Sequence, residues 1–123
     1  MNILVTGGSG FVGINLIEEL LYRGHRVFNY DLQPLLRQAE ENLNEMAGRY
    51  HWVEGDVLEG VRIRETLQRC EIDTVIHTAV ITADEARERR GMRSAFEINC
   101  CGTIEMLQAV VACGVSRFVY VSS

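Results

Sequence analysis

Three glycines, Gly7, Gly10 and Gly13, recur every third residue in Gly7-Gly8-Ser9-Gly10-Phe11-Val12-Gly13, between a short apolar run and a stretch of helical period. Gly7 permits a tight turn, Gly10 lets backbone approach a pyrophosphate, and Gly13 lets a helix pack closely on a strand. The helix N-terminus adds unpartnered N–H groups and the positive end of a dipole. The spacing is G-x-x-G-x-x-G rather than the G-x-G-x-x-G of the ordinary dinucleotide fingerprint. Glycines alone can serve turn geometry only; the strand before them and the amphipathic helix after them point to a phosphate cradle. Asp31 closes the next apolar run, 18 positions after Gly13, near the interval at which a carboxylate meets the hydroxyls of an adenosine ribose. A carboxylate there accepts hydrogen bonds from a diol and repels a 2′-phosphate, which predicts NAD in preference to NADP. The other reading of Asp31 is a strand-end carboxylate that satisfies backbone N–H groups of the following turn. Asp56, after the third apolar run, fits a contact to an adenine amino group and a cap of the next helical turn equally well.

These residues need elements to hold them. Short β-branched runs alternate with longer segments of helical period, which is the pattern of βαβ units and a parallel sheet. Strands are expected over residues 2–6, 26–31, 50–54, 73–77 and 117–121. Helices are expected over residues 11–23, 63–69 and 94–113, with a helix or an irregular helical connection over 35–46. Gly24 and Gly114 stand where helix C-terminal caps belong. The expected fold is α/β, a Rossmann-type doubly wound parallel sheet of five strands in the order 3-2-1-4-5, with the first and the long helix on opposite faces. The last residues, Ser122-Ser123, fall at the carboxyl end of a strand, where an α/β protein usually begins a functional loop. Residues 1–123 therefore read as one NAD(P)-binding domain, truncated from a longer protein.

Composition narrows the function classes. The chain is 47% hydrophobic and 24% charged with a net charge of -5, so the basic footprint that attracts nucleic acid or anionic membranes is missing. The first residues carry no basic segment, and Gly7 and Gly8 cut their apolar run short of a signal peptide or membrane span. The cytoplasm is the default compartment. Cys70, Cys100, Cys101 and Cys113 show neither C-x-x-C nor His/Cys metal spacing, and reduced thiols without a metal are expected. Asn99, an amide inside the long helical segment, must find partners if buried. His77 reads as a strand-end residue rather than a catalytic base, because no partner for it can be identified.

Six segments occur in one order and spacing along the whole chain: 5–13, Tyr30-Asp31-Leu32, Glu54-Gly55-Asp56-Val57, Val75-Ile76-His77-Thr78-Ala79, Ile98-Asn99 with Gly102-Thr103, and 117–123. Together they resemble the N-terminal part of the extended short-chain dehydrogenase/reductase superfamily, in its NAD-dependent epimerase/dehydratase group, which acts mainly on nucleotide sugars. The resemblance implies that Phe11 and Val12 offer backbone N–H groups to the pyrophosphate, Asp31 holds the adenine ribose, and Asp56 with Val57 borders the adenine. It places Ala79 at the nicotinamide-side ribose and Asn99 as a support for the architecture near the nicotinamide. It makes Ser123, next to Ser122, the catalytic serine. The family's general base is the tyrosine of a Tyr-x-x-x-Lys pair, and these 123 residues contain no lysine. The chain is therefore expected to bind a dinucleotide without turning over a nucleotide-sugar substrate. Thr78 and Val80 depart from the small apolar residues common there. Segment 81–92 reads as a solvated connection, with Arg87, Arg89 or Arg90 as the alternative contacts to a sugar-nucleotide phosphate. A non-catalytic NAD(P)-binding or sensing module, or a reductase of a non-sugar alcohol or ketone, are the alternatives. The apolar run 117–121, as a sheet edge, and the long helix predict self-association.

Overall fold

The computed structural model of the chain describes residues 1–82 and 91–122. Strands β1 (Asn2–Thr6), β2 (Arg26–Asp31), β3 (Tyr50–Glu54), β4 (Thr74–His77) and β5 (Arg117–Tyr120) form one sheet in the order β3-β2-β1-β4-β5. Every neighbouring pair is parallel, as the alternation of strand and helix patterns requires. Strand order and orientation are those expected.

Parallel strands need crossovers that cover both sheet faces, so the central strands are apolar without alternation. Ile3 and Val5 of β1 and Val27 of β2 pack on Ile17 and Leu21 of α1 (Phe11–Tyr22) and on Leu35 and Leu43. On the opposite face Leu4, Phe28, Tyr30 and Val75 meet Ile63 and Leu67 of α3 (Gly60–Arg69) together with Met106, Ala109 and Val110 of α4 (Met92–Cys113). Helices α1 and α4 thus lie on opposite faces, as expected. A fully buried leucine or isoleucine such as Leu4 or Ile63 contributes about 2 kcal/mol, so each face holds its helices by a handful of side chains.

Three segments differ in detail from the sequence pattern. Residues 35–46 take the irregular form, a short α2 (Arg37–Glu41) and a 3-10 turn (Asn44–Arg49). Only Leu35 and Leu43 are buried there, too thin an apolar stripe for a longer helix, and Asn44 turns the chain with φ 48. Helix α3 starts three residues early, because Gly60, Val61 and Arg62 lie ahead of its first buried residue, Ile63, with Val61 exposed and outside the apolar stripe. Helix α4 starts at Met92 and contains a π turn over Glu97–Cys101 before continuing as α-helix over Gly102–Cys113.

Strand β4 ends in a buried histidine. His77 pairs across the ladder with Thr6, and its ring lies 6.0 Å from that of Phe118 and 5.9 Å from that of Tyr120 on β5. Burial pushes its pKa down from 6.5 to about 4, because the imidazolium would lose its hydration. The folded pKa is thus below the unfolded one. The stability that the neutral ring contributes is complete above pH 6.5 and is lost as pH falls through about 4. Its size is about 3 kcal/mol. Urea denaturation between pH 7 and pH 4 should show this fall, and His77→Gln, which has nothing to titrate there, should flatten the curve relative to the unsubstituted chain. Parallel curves for the two proteins would show that His77 is not the group responsible.

Candidate functional site

A cavity of about 510 Å³ opens at the carboxyl ends of β1, β2 and β4, where the strand order reverses and the connections leave for opposite faces. Gly7, Gly10, Phe11, Val12, Gly13, Asp31, Asp56, Val57 and Ala79 all line it. Asn99 stands behind the wall, next to the lining residue Ile98.

The floor of the cavity is the turn between β1 and α1. Gly7 has φ 67, and a Cβ there would lie 2.7 Å from the Cα of Ala79, so two backbone segments touch with no side chain between them. Gly10 differs. Its φ of -80 suits any residue, and a Cβ would meet only the carbonyl of Gly7, at 3.3 Å. Apart from that one close contact the chain's own packing leaves room at Gly10, and that room belongs to the cavity. Gly10 caps α1 without a side-chain hydrogen bond, and the first turn holds no acidic residue. The first backbone bond of the helix runs from the N–H of Ile14 to the carbonyl of Gly10, at 2.9 Å, which leaves the N–H groups of Phe11 and Val12 without intrahelical acceptors. Unpartnered donors, a positive dipole end and open space above Gly10 fit a pyrophosphate.

At one end of the cavity Asp31 is held from two sides. Its Oδ2 accepts the N–H of Ser9 at 3.1 Å and its Oδ1 accepts the N–H of Gln33 at 3.0 Å. The turn-satisfying reading of Asp31 is therefore correct, and it leaves each oxygen a second lone pair for a ribose hydroxyl. Ser9 extends the support. Its hydroxyl donates to the carbonyl of Gln33 at 2.7 Å and accepts from Asn29 Nδ2 at 3.0 Å, which also donates to the Tyr50 hydroxyl at 3.1 Å. Sequence reading missed this network; the only available signal was a hydroxyl residue inside the glycine string. Asp56 caps its turn by accepting the N–H of Leu58 at 3.0 Å, and its carbonyl accepts the Tyr30 hydroxyl at 2.9 Å. Burial, aided by Glu59, raises the pKa of that hydroxyl, so Tyr30 is a structural donor. Val57 is buried among core side chains.

At the other end, the N–H of Ala79 donates to Thr6 Oγ1 at 3.2 Å, and Thr78 donates its N–H and hydroxyl to the carbonyl of Thr6 at 3.2 and 2.6 Å. Asn99 lies in the π turn of α4. Its Oδ1 accepts the N–H of Ile81 at 2.9 Å and its Nδ2 donates to the carbonyl of Ile81 at 3.0 Å. The amide is half-buried and finds its partners in a two-bond clamp on the loop that leaves β4. His77 acts in no way as an exposed base. Its Nδ1 lies 2.7 Å from Thr6 Oγ1 and its Nε2 lies 3.0 Å from Thr103 Oγ1, partners 71 and 26 residues away that sequence inspection had no means to pair. Ser123 and the arginines Arg87, Arg89 and Arg90 lie outside the described residues. Among the described residues no group of three His, Cys, Asp or Glu side chains could hold a metal ion.

A profile of the NAD dependent epimerase/dehydratase family matches residues 3–123. A 3 beta-hydroxysteroid dehydrogenase/Delta 5-->4-isomerase of Mycobacterium tuberculosis is 38% identical over 98% of this chain and 31% of its own length. A UDP-glucose 4-epimerase of Klebsiella pneumoniae is 33% identical over the whole chain and 89% of its own length. Among solved structures, the UDP-glucose-4-epimerase from Stenotrophomonas maltophila with bound NAD and formylated UDP-arabinopyranose superposes with a TM-score of 0.85 at 30% identity, over 100% of this chain and 37% of that one. The chain thus spans about a third of the length of the dehydrogenase and of the solved epimerase. A matching profile over nearly every residue, on a fold shared with the solved epimerase, means that the chain belongs to the NAD dependent epimerase/dehydratase family.

Proposed function

We propose that residues 1–123 form a single NAD-binding domain that serves a nucleotide-sugar epimerase or dehydratase, with the cavity at the β1/β4 divide as the dinucleotide site. The observation that carries this reading is the bare N-terminus of α1 beneath an open Gly10, with a fixed carboxylate to one side of it. In this reading Phe11 and Val12 donate backbone N–H groups to the pyrophosphate. Asp31 accepts the adenine ribose hydroxyls on the lone pairs that Ser9 and Gln33 leave open. Asp56 and Val57 border the adenine, with Gly7 and Gly13 shaping the turn. Ala79 borders the nicotinamide-side ribose, and Asn99 holds the loop at Ile81 beside it. When bound, NAD would supply a hydride acceptor for a sugar hydroxyl. Ser123 is proposed to hold that hydroxyl by a hydrogen bond. The relatives and solved structures that act on UDP-sugars support the substrate class. The 38% identical hydroxysteroid dehydrogenase favours, as a second reading, a non-sugar alcohol or ketone.

Two surfaces support self-association. Met92, Phe96, Ile104, Leu107 and Val111 are exposed along α4, and Val119 and Tyr120 are exposed on the edge strand β5. Helix α4 is long and apolar enough to cross a membrane by length and composition, yet it buries Met106, Ala109 and Val110 against the sheet. That packing supports a cytoplasmic assignment.

Calorimetric titration should give tighter binding of NAD than of NADP, and Asp31→Ala should bring the two together. Equal affinities in the unsubstituted chain would remove Asp31 from the ribose. Gly10→Val should abolish NAD binding while leaving the circular dichroism spectrum unchanged, since the substituted residue keeps a permitted φ and loses only cavity space. Sedimentation across a hundredfold range of concentration should show association of the chain; a monomer throughout would refute the proposed surfaces.

A further inference from the structure

Resting on the dinucleotide reading above, we propose that His77 is a positioning residue: through one fixed tautomer it ties two points of the loop after β4 at the nicotinamide end of the cavity, Ala79 and the Asn99-held Ile81, to a single ring. The direction of each hydrogen bond follows from its neighbours. Thr103 Oγ1 lies 2.8 Å from the carbonyl of Asn99 and donates its only proton there. It therefore accepts at its contact with His77, and Nε2 carries the ring proton. Nδ1 is then a bare acceptor, and Thr6 Oγ1 donates to it at 2.7 Å. Having given its proton to the ring, Thr6 Oγ1 accepts the N–H of Ala79 at 3.2 Å. The sequence runs unbroken from the Ala79 N–H through Thr6 to the ring, and from the ring through Thr103 to the Asn99 carbonyl. The Asn99 amide then takes both backbone groups of Ile81.

The links come from four places: the loop after β4 with Ala79 and Ile81, β1, β4 itself, and α4, where Asn99 lies in the π turn and Thr103 just after it. The centre of the relay is in the core, since Thr6 and His77 are fully buried, and its outer members, Ala79, Ile81, Asn99 and Thr103, are half-buried. An apolar ring of the same size would fill the space but leave the Thr6 and Thr103 hydroxyls unpaired on that side. Buried hydroxyls left unpaired turn toward other acceptors, and the Ala79 N–H and the π turn lose their common reference. The adenine end of the cavity depends on Ser9, Gln33 and Asn29 and has no bond in this relay.

The test compares two ligands in the whole chain, NAD and ADP, which share the adenine end and differ at the nicotinamide end. His77→Phe and Thr103→Val should each weaken NAD binding about five- to tenfold while the ADP affinity stays within twofold, and Thr103→Ser, which keeps the hydroxyl, should bind NAD as the unsubstituted chain does. Unchanged NAD affinity in Thr103→Val, or an equal loss for NAD and ADP in both folded variants, would overturn the proposal. If His77→Phe fails to fold, the Thr103 pair decides alone, since Thr103 lies at the rim of the core. Failure of the unsubstituted chain to bind either ligand would overturn the dinucleotide site itself and this inference with it. Binding by that chain, with no NAD-specific loss in the variants, would overturn the relay alone.

Discussion

Where the strand order reverses, two turns of bare backbone are pressed together, Gly7 against Ala79. Any side chain at Gly7 would hold them apart, and its left-handed φ would add strain of about 1–3 kcal/mol. This contact sets how close the β1–α1 turn comes to the end of β4, and so where the first N–H groups of α1 point and how wide the cavity opens. The rest of the molecule serves it. The parallel ladders hold β1 beside β4 in register, with Thr6 opposite His77, and the two apolar clusters clamp the sheet from either side.

The two ends of the cavity are stabilised by different means. The Asp31 end is built from hydrogen bonds between the glycine turn and the loop after β2, centred on a carboxylate whose two oxygens are already oriented. The Ala79 end is built from bonds that join β1, β4 and α4 through neutral groups. No charge is buried there, because His77 is neutral and burial keeps it so. A neutral, fully bonded network in a dry interior avoids the desolvation cost of a buried ion pair and still fixes one geometry.

The fold was almost wholly legible in the sequence because the parallel sheet writes itself in continuous apolar runs, and because the glycine turn, Asp31 and Asp56 are each spaced along the chain by a strand or a helix. Those residues meet at one cavity for the same reason. What the sequence hid was of another kind. The turn-holding roles of Asp31 and Asp56 were among the readings the sequence offered, but not which backbone donors they take, since every residue carries one. The pairing of His77 with Thr6 and Thr103 depends on sheet register and on the phase of α4 after its π turn, and neither has a signature in residue type. The break at residues 35–46 was foreshadowed only by the scarcity of apolar residues between Leu36 and Leu43.

The uncapped start of α1 also bears on how the domain survives in solution. An aspartate or serine at position 10 would cap the helix and contribute a few tenths of a kcal/mol over glycine, yet it would fill or repel the space that the glycine leaves free. The fold thus forgoes local stability at the helix start and leaves an external anion to supply it. Any such anion that binds the native chain and not the unfolded one raises its stability by RT ln(1 + [L]/Kd), about 2.7 kcal/mol at a hundredfold excess over Kd. The lifetime of the domain before unfolding, proteolysis or aggregation is then governed by the pool of small molecules around it as much as by its own core.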